Sequence, residues 1–322
     1  MTIAVIGGTG FLGRAVASRL LVHGQDVLAV ARGHEPVALP SGVRFQAADR
    51  MDTPAITALL RANNVTAVID IFTLSLRNTQ PVLDAIGGIG CRYVLVSSTD
   101  VYSNYGGLLK KENPPIRREP ATEDSPLRTL RYPYRGNARR PRGVEDDLFE
   151  DYDKIPIEEA ARADPRFQTT ILRLPMIFGP QDKQHRFAWA IKNARAGQPF
   201  AIDERAANWL NSYGYIDDMA EALALAATHP AAAGRTYNAA QPRDRPVREW
   251  ARAILDIMGI DSPVIDAPPA ANGTMADRAE ASNLAYPLTL DSTRIRAELG
   301  YAETIGEREA LQRTIAWELS QN

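Results

Sequence analysis

The chain has 322 residues, 45% hydrophobic and 24% charged, an ordinary balance for a globular enzyme and enough length for more than one average domain. Its formal net charge of -2 gives no global attraction to nucleic acid or to an anionic membrane. Cys91 is the single cysteine, so no intrachain disulfide forms, which fits a reducing compartment; a cytoplasmic protein is expected.

The chain opens straight into a strand, without a basic and apolar leader, and no apolar run reaches the roughly 18 residues of a membrane helix. Secretion and membrane spanning are therefore not expected. Ile3-Ala4-Val5-Ile6 is a strand buried on both faces, Gly7-Gly8-Thr9-Gly10 a turn, and Phe11 to Leu21 an apolar-periodic helix. Gly7, Gly10 and Gly13 recur every third residue, so backbone can approach a diphosphate while the first free amides of the helix and its dipole face the negative charge. The turn predicts a dinucleotide site.

Further strands are predicted at Asp26–Ala31, Val43–Ala47, Ala67–Ile71 and Tyr93–Val96, with helices over Pro54–Arg61 and residues 76–86 between them. This alternation implies right-handed crossovers and an α/β doubly wound parallel sheet, a Rossmann domain, whose ligands lie beyond the carboxyl ends of its strands. A Pro- and Arg-rich insertion, 103–143, interrupts the pattern as a long loop. It carries Arg117, Arg118, Arg128, Arg131, Arg135, Arg139, Arg140 and Arg142, which read either as a solvated flap or as a clamp for substrate phosphate or carboxylate; Tyr132 and Tyr134 add a base-stacking, RNA-binding reading.

One helix is predicted from Glu145 to Ala163, then a strand at Thr169–Leu174 and a helix at Arg186–Ala196. Irregular spacing up to Gly214 suits a smaller α/β lobe. Asp217-Asp218 opens a helix that runs through Ala227, with Asp217 as its cap, and Ala220–Ala233 is packed helix rather than a membrane span. A short strand at Arg235–Ala239, a helix at Val247–Met258, a mobile loop at 267–283, and helices at Ser292–Leu299 and Glu307–Leu319 complete the reading. Residues 1–174 form the expected dinucleotide-binding domain and 175–322 mainly a substrate lobe, some of its segments returning to the first domain.

Four stretches then carry a resemblance over nearly the whole chain: Gly7 to Gly13; Val96-Ser97-Ser98-Thr99-Asp100-Val101-Tyr102; Leu172 to Pro180, with Pro175 at its centre; and Tyr215-Ile216-Asp217-Asp218-Met219-Ala220. In this order they resemble the extended short-chain dehydrogenase/reductase superfamily, specifically its NAD-dependent epimerase/dehydratase group. The resemblance implies a dinucleotide across the sheet, held by Gly7, Thr9, Gly10, Phe11, Leu12, Gly13 and Pro175, and a polar or anionic small-molecule substrate between it and the C-terminal lobe. It also implies that Asp49 contacts the adenine amino group, unless it serves as a cap for the next helix, and that two subunits can pair as a homodimer. The second strand ends in Ala31-Arg32 with no carboxylate, so a guanidinium stands where a ribose 2′-phosphate would lie, favouring NADP over NAD unless Arg32 is only a surface charge.

Catalysis in the family implies a hydroxyl after the fifth strand and a tyrosine four residues before a lysine, because i and i+4 share a helix face and the ammonium lowers the phenol's pKa while holding the ribose. Ser98 fits the hydroxyl and Lys154 the lysine, with Glu158 four residues on. Glu150, however, occupies the tyrosine position, and Tyr152 lies only two residues away, about 200° around an ideal helix. Either Glu150 transfers the proton, or Pro156 distorts the helix and Tyr152 does so, or hydride chemistry is absent and the fold is a sensor or RNA-binding scaffold. Asp100 either assists elimination, as an acid two residues before the loop tyrosine does in dehydratase relatives, or caps a turn. Relatives acting on nucleotide sugars place an arginine where Asn211 stands; Arg205 or the loop arginines are possible substitutes, and Trp209, Tyr213 and Phe178 are candidate pocket walls.

The reading is an NAD(P)-dependent oxidoreductase, epimerase or dehydratase acting on a carbonyl or secondary alcohol of a sugar-like molecule.

Overall fold

The computed structural model describes residues 1–33, 38–136, 146–196, 199–269 and 275–321. Arg139, Arg140 and Arg142 lie outside them. Largely apolar runs form β1 (Thr2–Ile6), β2 (Asp26–Ala31), β4 (Val65–Asp70), β5 (Arg92–Ser98) and β6 (Thr169–Leu174), and β3 (Arg44–Ala47) is a short, exposed edge strand. Between them lie α1 (Phe11–Val22), α2 (Thr53–Ala62), α3 (Leu76–Gly87), α4 (Ser103–Leu108), α5 (Asp146–Glu150) and α6 (Lys154–Ala163). The second half adds β7 (Met176–Phe178), α7 (Ala188–Arg195), β8 (Phe200–Asp203), α8 (Glu204–Ala207), β9 (Leu210–Asn211), β10 (Tyr213–Tyr215), α9 (Ile216–Thr228) and β11 (Thr236–Asn238). It ends with β12 (Arg245–Pro246), α10 (Val247–Met258), β13 (Val264–Ala267), α11 (Ala276–Ala281), α12 (Thr293–Leu299) and α13 (Glu307–Ser320).

Seven parallel strands lie in the order β3-β2-β1-β4-β5-β6-β11, a Rossmann-like sheet in which β11 returns from the second half of the chain. The order reverses beside β1, which opens a crevice at the carboxyl ends of β1 and β4. One apolar core packs α1 and α9 on one sheet face through Val16, Leu20, Leu223 and Ala227. A second packs α2, α3 and α6 on the other through Ile56, Leu60, Val82, Ile86 and Ile157. Among the described residues no helix is long and apolar enough to cross a membrane.

Four local expectations are corrected. The insertion contains α4, although Gly106 and Gly107 are poor helix formers; a Cβ on Gly107 would lie 2.4 Å from the Tyr286 ring, so packing selects glycine there and overrides propensity. The helix expected from Glu145 to Ala163 is two helices, because Asp153 accepts from Ile155 N (3.1 Å) and restarts the chain, placing Pro156 in a first turn where its missing N–H costs nothing. Tyr215, not Asp217, is the cap residue of α9, and Asp217 sits in the first turn where its charge suits the dipole. The loop expected at 267–283 contains α11, too short to show a periodic pattern.

Candidate active site

The glycine turn is built by close contact. Gly7 has φ +83°, which only glycine adopts freely, and a Cβ on Gly13 would lie 2.2 Å from the Gly7 carbonyl oxygen, so α1 starts against bare backbone. Gly7 N donates to Val30 O (2.8 Å) and Gly8 N to Val5 O (3.1 Å), which pins the turn to the sheet. The helix ladder begins with Arg14 N donating to Gly10 O (3.0 Å), and Gly10 offers no capping side chain. The amides of Phe11, Leu12 and Gly13 precede that ladder and face the crevice end of the sheet, a geometry that fits a dinucleotide diphosphate. Thr9 is half-buried in the same turn, and Pro175 is buried where β6 passes to β7.

At the adenine end Arg32 and Asp49 are both exposed. Asp49 accepts from Met51 N (2.9 Å), while Asp52 caps α2 by accepting from Ala55 N (2.9 Å). The sequence reading missed Arg50, whose guanidinium grips buried Asp70 at 2.9 and 2.8 Å and donates to Asn78 O at 2.7 Å, fixing the loop that carries Asp49.

At the carboxyl end of β5 the chain turns through Thr99–Val101, capped by half-buried Ser98, whose hydroxyl accepts from Asp100 N (3.3 Å). Asp100 is buried. Its Oδ2 accepts from the Tyr152 hydroxyl at 2.5 Å, and its Oδ1 is sealed from solvent with no partner among the described residues. Burial pushes the Asp100 carboxyl above its ordinary value against the pull of Arg128, Tyr152 and Lys154. Burial and the Asp100 charge push the Tyr152 phenol well above 10.

Lys154, the first residue of α6, is buried and donates to Thr73 O (2.5 Å), Thr73 Oγ1 (2.9 Å) and Val96 O (3.1 Å). All three ammonium hydrogens are engaged. Burial lowers its pKa to about 8, with Asp100 and Asp70 pulling the other way. Its Nζ stands 5.8 Å from the Tyr152 ring centroid, over the ring, while the hydroxyl of that ring points to Asp100.

The break at residues 151–153 dissolves the spacing problem, because neither Glu150 nor Tyr152 shares a helix with Lys154. Glu150 ends α5 and accepts from Gly136 N (3.1 Å) in the Arg-rich segment. Tyr152 reaches the site from the connection. The signal that locates this break is Asp153 two residues before Ile155-Pro156, a cap followed by a proline in the first turn.

An aromatic wall absent from the sequence reading closes the corner. Tyr134 stacks on Phe149 (4.6 Å) and meets the Tyr152 ring edge-on (5.1 Å), and its hydroxyl bonds that of Tyr105. Tyr134 is thus committed inside the protein rather than offered to a base. Arg128 is no substrate clamp either: it is buried and ties Asp153 Oδ1 (2.5 Å) to Asp100 O (2.8 Å). Arg131 pairs with Glu159 and Arg135 with Asp151 on the surface. Arg205, at the surface, pairs with Asp203. Asn211 is buried and donates to Ser212 O (2.7 Å). Trp209 and Phe178 are core residues, and half-buried Tyr213 packs against Phe178, Phe187 and Trp250. No group of three His, Cys, Asp or Glu among the described residues is placed to hold a metal ion.

Fold and site together define a dinucleotide-dependent enzyme of the extended short-chain dehydrogenase/reductase type. The sequence profile of the NAD dependent epimerase/dehydratase family matches residues 3–135 and 155–240, and the chain belongs to that family. The profile skips 136–154, the stretch that carries Tyr152 and Lys154. A curated relative, the 2'-dehydrokanamycin reductase of Streptomyces kanamyceticus, is 27% identical over 268 residues, 80% of this chain and 67% of that protein. Further curated relatives match over 21% of this chain, which spans only 8% of their own length. The UDP-glucose 4-epimerase of Thermotoga maritima, solved with UDP-glucose, superposes with TM-score 0.70 at 18% identity, covering 100% of this chain and 99% of that one. The UDP-glucose 4-epimerase of Thermus thermophilus, solved with NAD, gives TM-score 0.68 at 20% identity, covering 99% of each chain. These likenesses establish the fold.

Proposed function

We propose that the protein is an NADP-preferring reductase or dehydrogenase acting at a ketone or secondary alcohol of a sugar-like small molecule. The observation that carries this reading is the meeting of Tyr152, Asp100 and Lys154 in one buried corner at the carboxyl end of β5, beside the glycine turn. The nicotinamide, when bound, supplies or receives hydride. Phe11, Leu12 and Gly13 amides hold the diphosphate, and Arg32 holds the 2′-phosphate. Ser98 orients the substrate oxygen, and Tyr152 exchanges a proton with it. Lys154 would hold the nicotinamide ribose through its ammonium, as the lysine of the family does.

Among the described residues, Asn211 offers no cation and Arg128 is buried against Asp153, which favours a substrate without a nucleotide diphosphate. The name of the relative from Streptomyces kanamyceticus points the same way, to reduction of a dehydrogenated aminoglycoside. A cytoplasmic location agrees with the composition. The test is nicotinamide absorbance on mixing the protein and NADPH with a panel of keto-sugars, oxidised aminoglycosides and nucleotide sugars. Oxidation of NADPH by a keto-sugar or oxidised aminoglycoside is expected. Turnover of nucleotide sugars alone contradicts the substrate class, and tight NADPH binding with no turnover contradicts the enzyme reading.

A further inference from the structure

Resting on that reading, we propose that Asp100 is the proton store behind Tyr152: the phenol meets the substrate oxygen, and its own proton passes to Asp100 and back through the bond that already joins them. Asp100 acts only through Tyr152, so it is a positioning and proton-holding residue that does not itself touch substrate.

Geometry selects this route over one through the lysine. Tyr152 Oη lies 2.5 Å from Asp100 Oδ2, whereas Lys154 Nζ approaches the face of the Tyr152 ring and donates to backbone and to Thr73. Asp100 Oδ1 is shut away from water with no donor among the described residues, so an ionised carboxyl there is one hydrogen bond short and gains from taking a proton. The raised phenol pKa of Tyr152 opposes a free phenolate in this corner. Relay removes the need for one, because Tyr152 is a neutral phenol before and after the step and only Asp100 changes charge.

In the oxidation direction the substrate O–H proton passes to Tyr152 Oη as the phenol proton passes to Asp100 Oδ2, while a bound nicotinamide would take the hydride from the substrate carbon. Tyr152 ends as it began, a neutral phenol, and Asp100 ends protonated, which balances the alcohol proton once the hydride has been accepted. Reduction reverses each transfer. The groups that face Asp100 and set its titration are Arg128, Tyr152, Lys154 and Asp153, and the Tyr105 and Tyr134 phenols feel its charge in turn.

The test uses the full chain labelled with carbon-13 at tyrosine Cζ, read by NMR across pH, together with calorimetric titration of NADP. Tyr152→Phe identifies the Tyr152 resonance. That resonance is expected to titrate with a midpoint above the ordinary aspartate value of about 3.9, to lose this titration in Asp100→Asn, and to regain it at a shifted midpoint in Asp100→Glu, with NADP affinity kept within about threefold. Unchanged titration in Asp100→Asn overturns the proton store. Should Asp100→Asn fail to fold, a titration of unshifted midpoint in Asp100→Glu overturns it equally. The two failures separate: absence of NADP binding in the unmodified protein defeats the functional reading, whereas the NMR arm needs no cofactor.

Discussion

Helix α6 carries two buried charged side chains one turn apart, Lys154 and Glu158, and their partners differ: the Lys154 ammonium donates only to neutral oxygens, whereas Glu158 meets an opposite charge. Glu158 is fully paired: Oε1 accepts from Ser97 Oγ (2.5 Å) and Arg173 Nε (3.0 Å), and Oε2 from Arg173 Nη2 (2.7 Å). Arg173 continues to Glu123 O and to Tyr102, which donates to Asn238 Oδ1 (2.6 Å), so the network stitches β5, β6, β11 and the insertion together. The Lys154 corner holds an unpartnered Asp100 oxygen, a depressed lysine and a raised phenol. The first cluster is a scaffold, because its carboxylate is matched by a guanidinium and a hydroxyl and no oxygen in it is left unpartnered. The second brings a carboxyl up and an ammonium down toward neutral pH, the direction that suits proton transfer there, while its phenol stays protonated.

The sharpest way to break this contrast is to open the scaffold. Glu158→Gln leaves Arg173 as a buried, poorly compensated charge and is expected to cost about 3–5 kcal/mol in chemical denaturation, with kcat per folded molecule unchanged. An activity loss without a stability loss would erase the distinction. Lys154→Met is the opposite experiment, with turnover expected to fall by about 10³-fold or more. Its folded pKa of about 8 lies below the unfolded 10.5, so the charge penalises the folded state increasingly as pH falls through 10.5 toward 8, and fully below 8. The variant is therefore expected to gain up to about 3 kcal/mol in relative stability between pH 10.5 and pH 7. Because the ammonium loses its proton above pH 8, cofactor affinity in the unmodified protein is expected to decline there.

Asp100→Asn sharpens the comparison more finely. A carboxyl raised by folding contributes its stability below the unfolded pKa and loses it as pH rises through the folded value. The Tm of the variant should therefore gain on that of the unmodified protein from pH 4 toward pH 7, and a constant difference contradicts the burial account. The smallest effect is at the cofactor's far end, where Arg32→Ala is expected to weaken NADPH about tenfold by calorimetry while NADH changes little; equal losses contradict the assigned preference.

The strand, glycine turn and helix of residues 2–22 were legible because the apolar run and the glycine spacing are local facts. The parallel sheet followed from alternation and crossover handedness. Lys154, Ser98, Asp100 and Tyr152 were legible as candidates by spacing and resemblance, but not the contact of Asp100 with Tyr152, which joins residues 52 apart in sequence. The helix break was hidden because Glu145 to Ala163 has helix-forming composition over most of its length, and only the cap and proline at 153–156 mark the restart. Arg128 looked like its exposed neighbours until its burial against Asp153 was known, since arginine's type does not tell which guanidinium faces inward.

Which side chain faces the reacting carbon decides between Tyr152 and Glu150, and a crystal structure with NADP bound measures that directly. It should show the diphosphate on the Phe11 and Leu12 amides, Lys154 on the nicotinamide ribose, and the Tyr152 hydroxyl, still bonded to Asp100, beside the nicotinamide. A nicotinamide placed against Glu150, or out of reach of Tyr152, would contradict it.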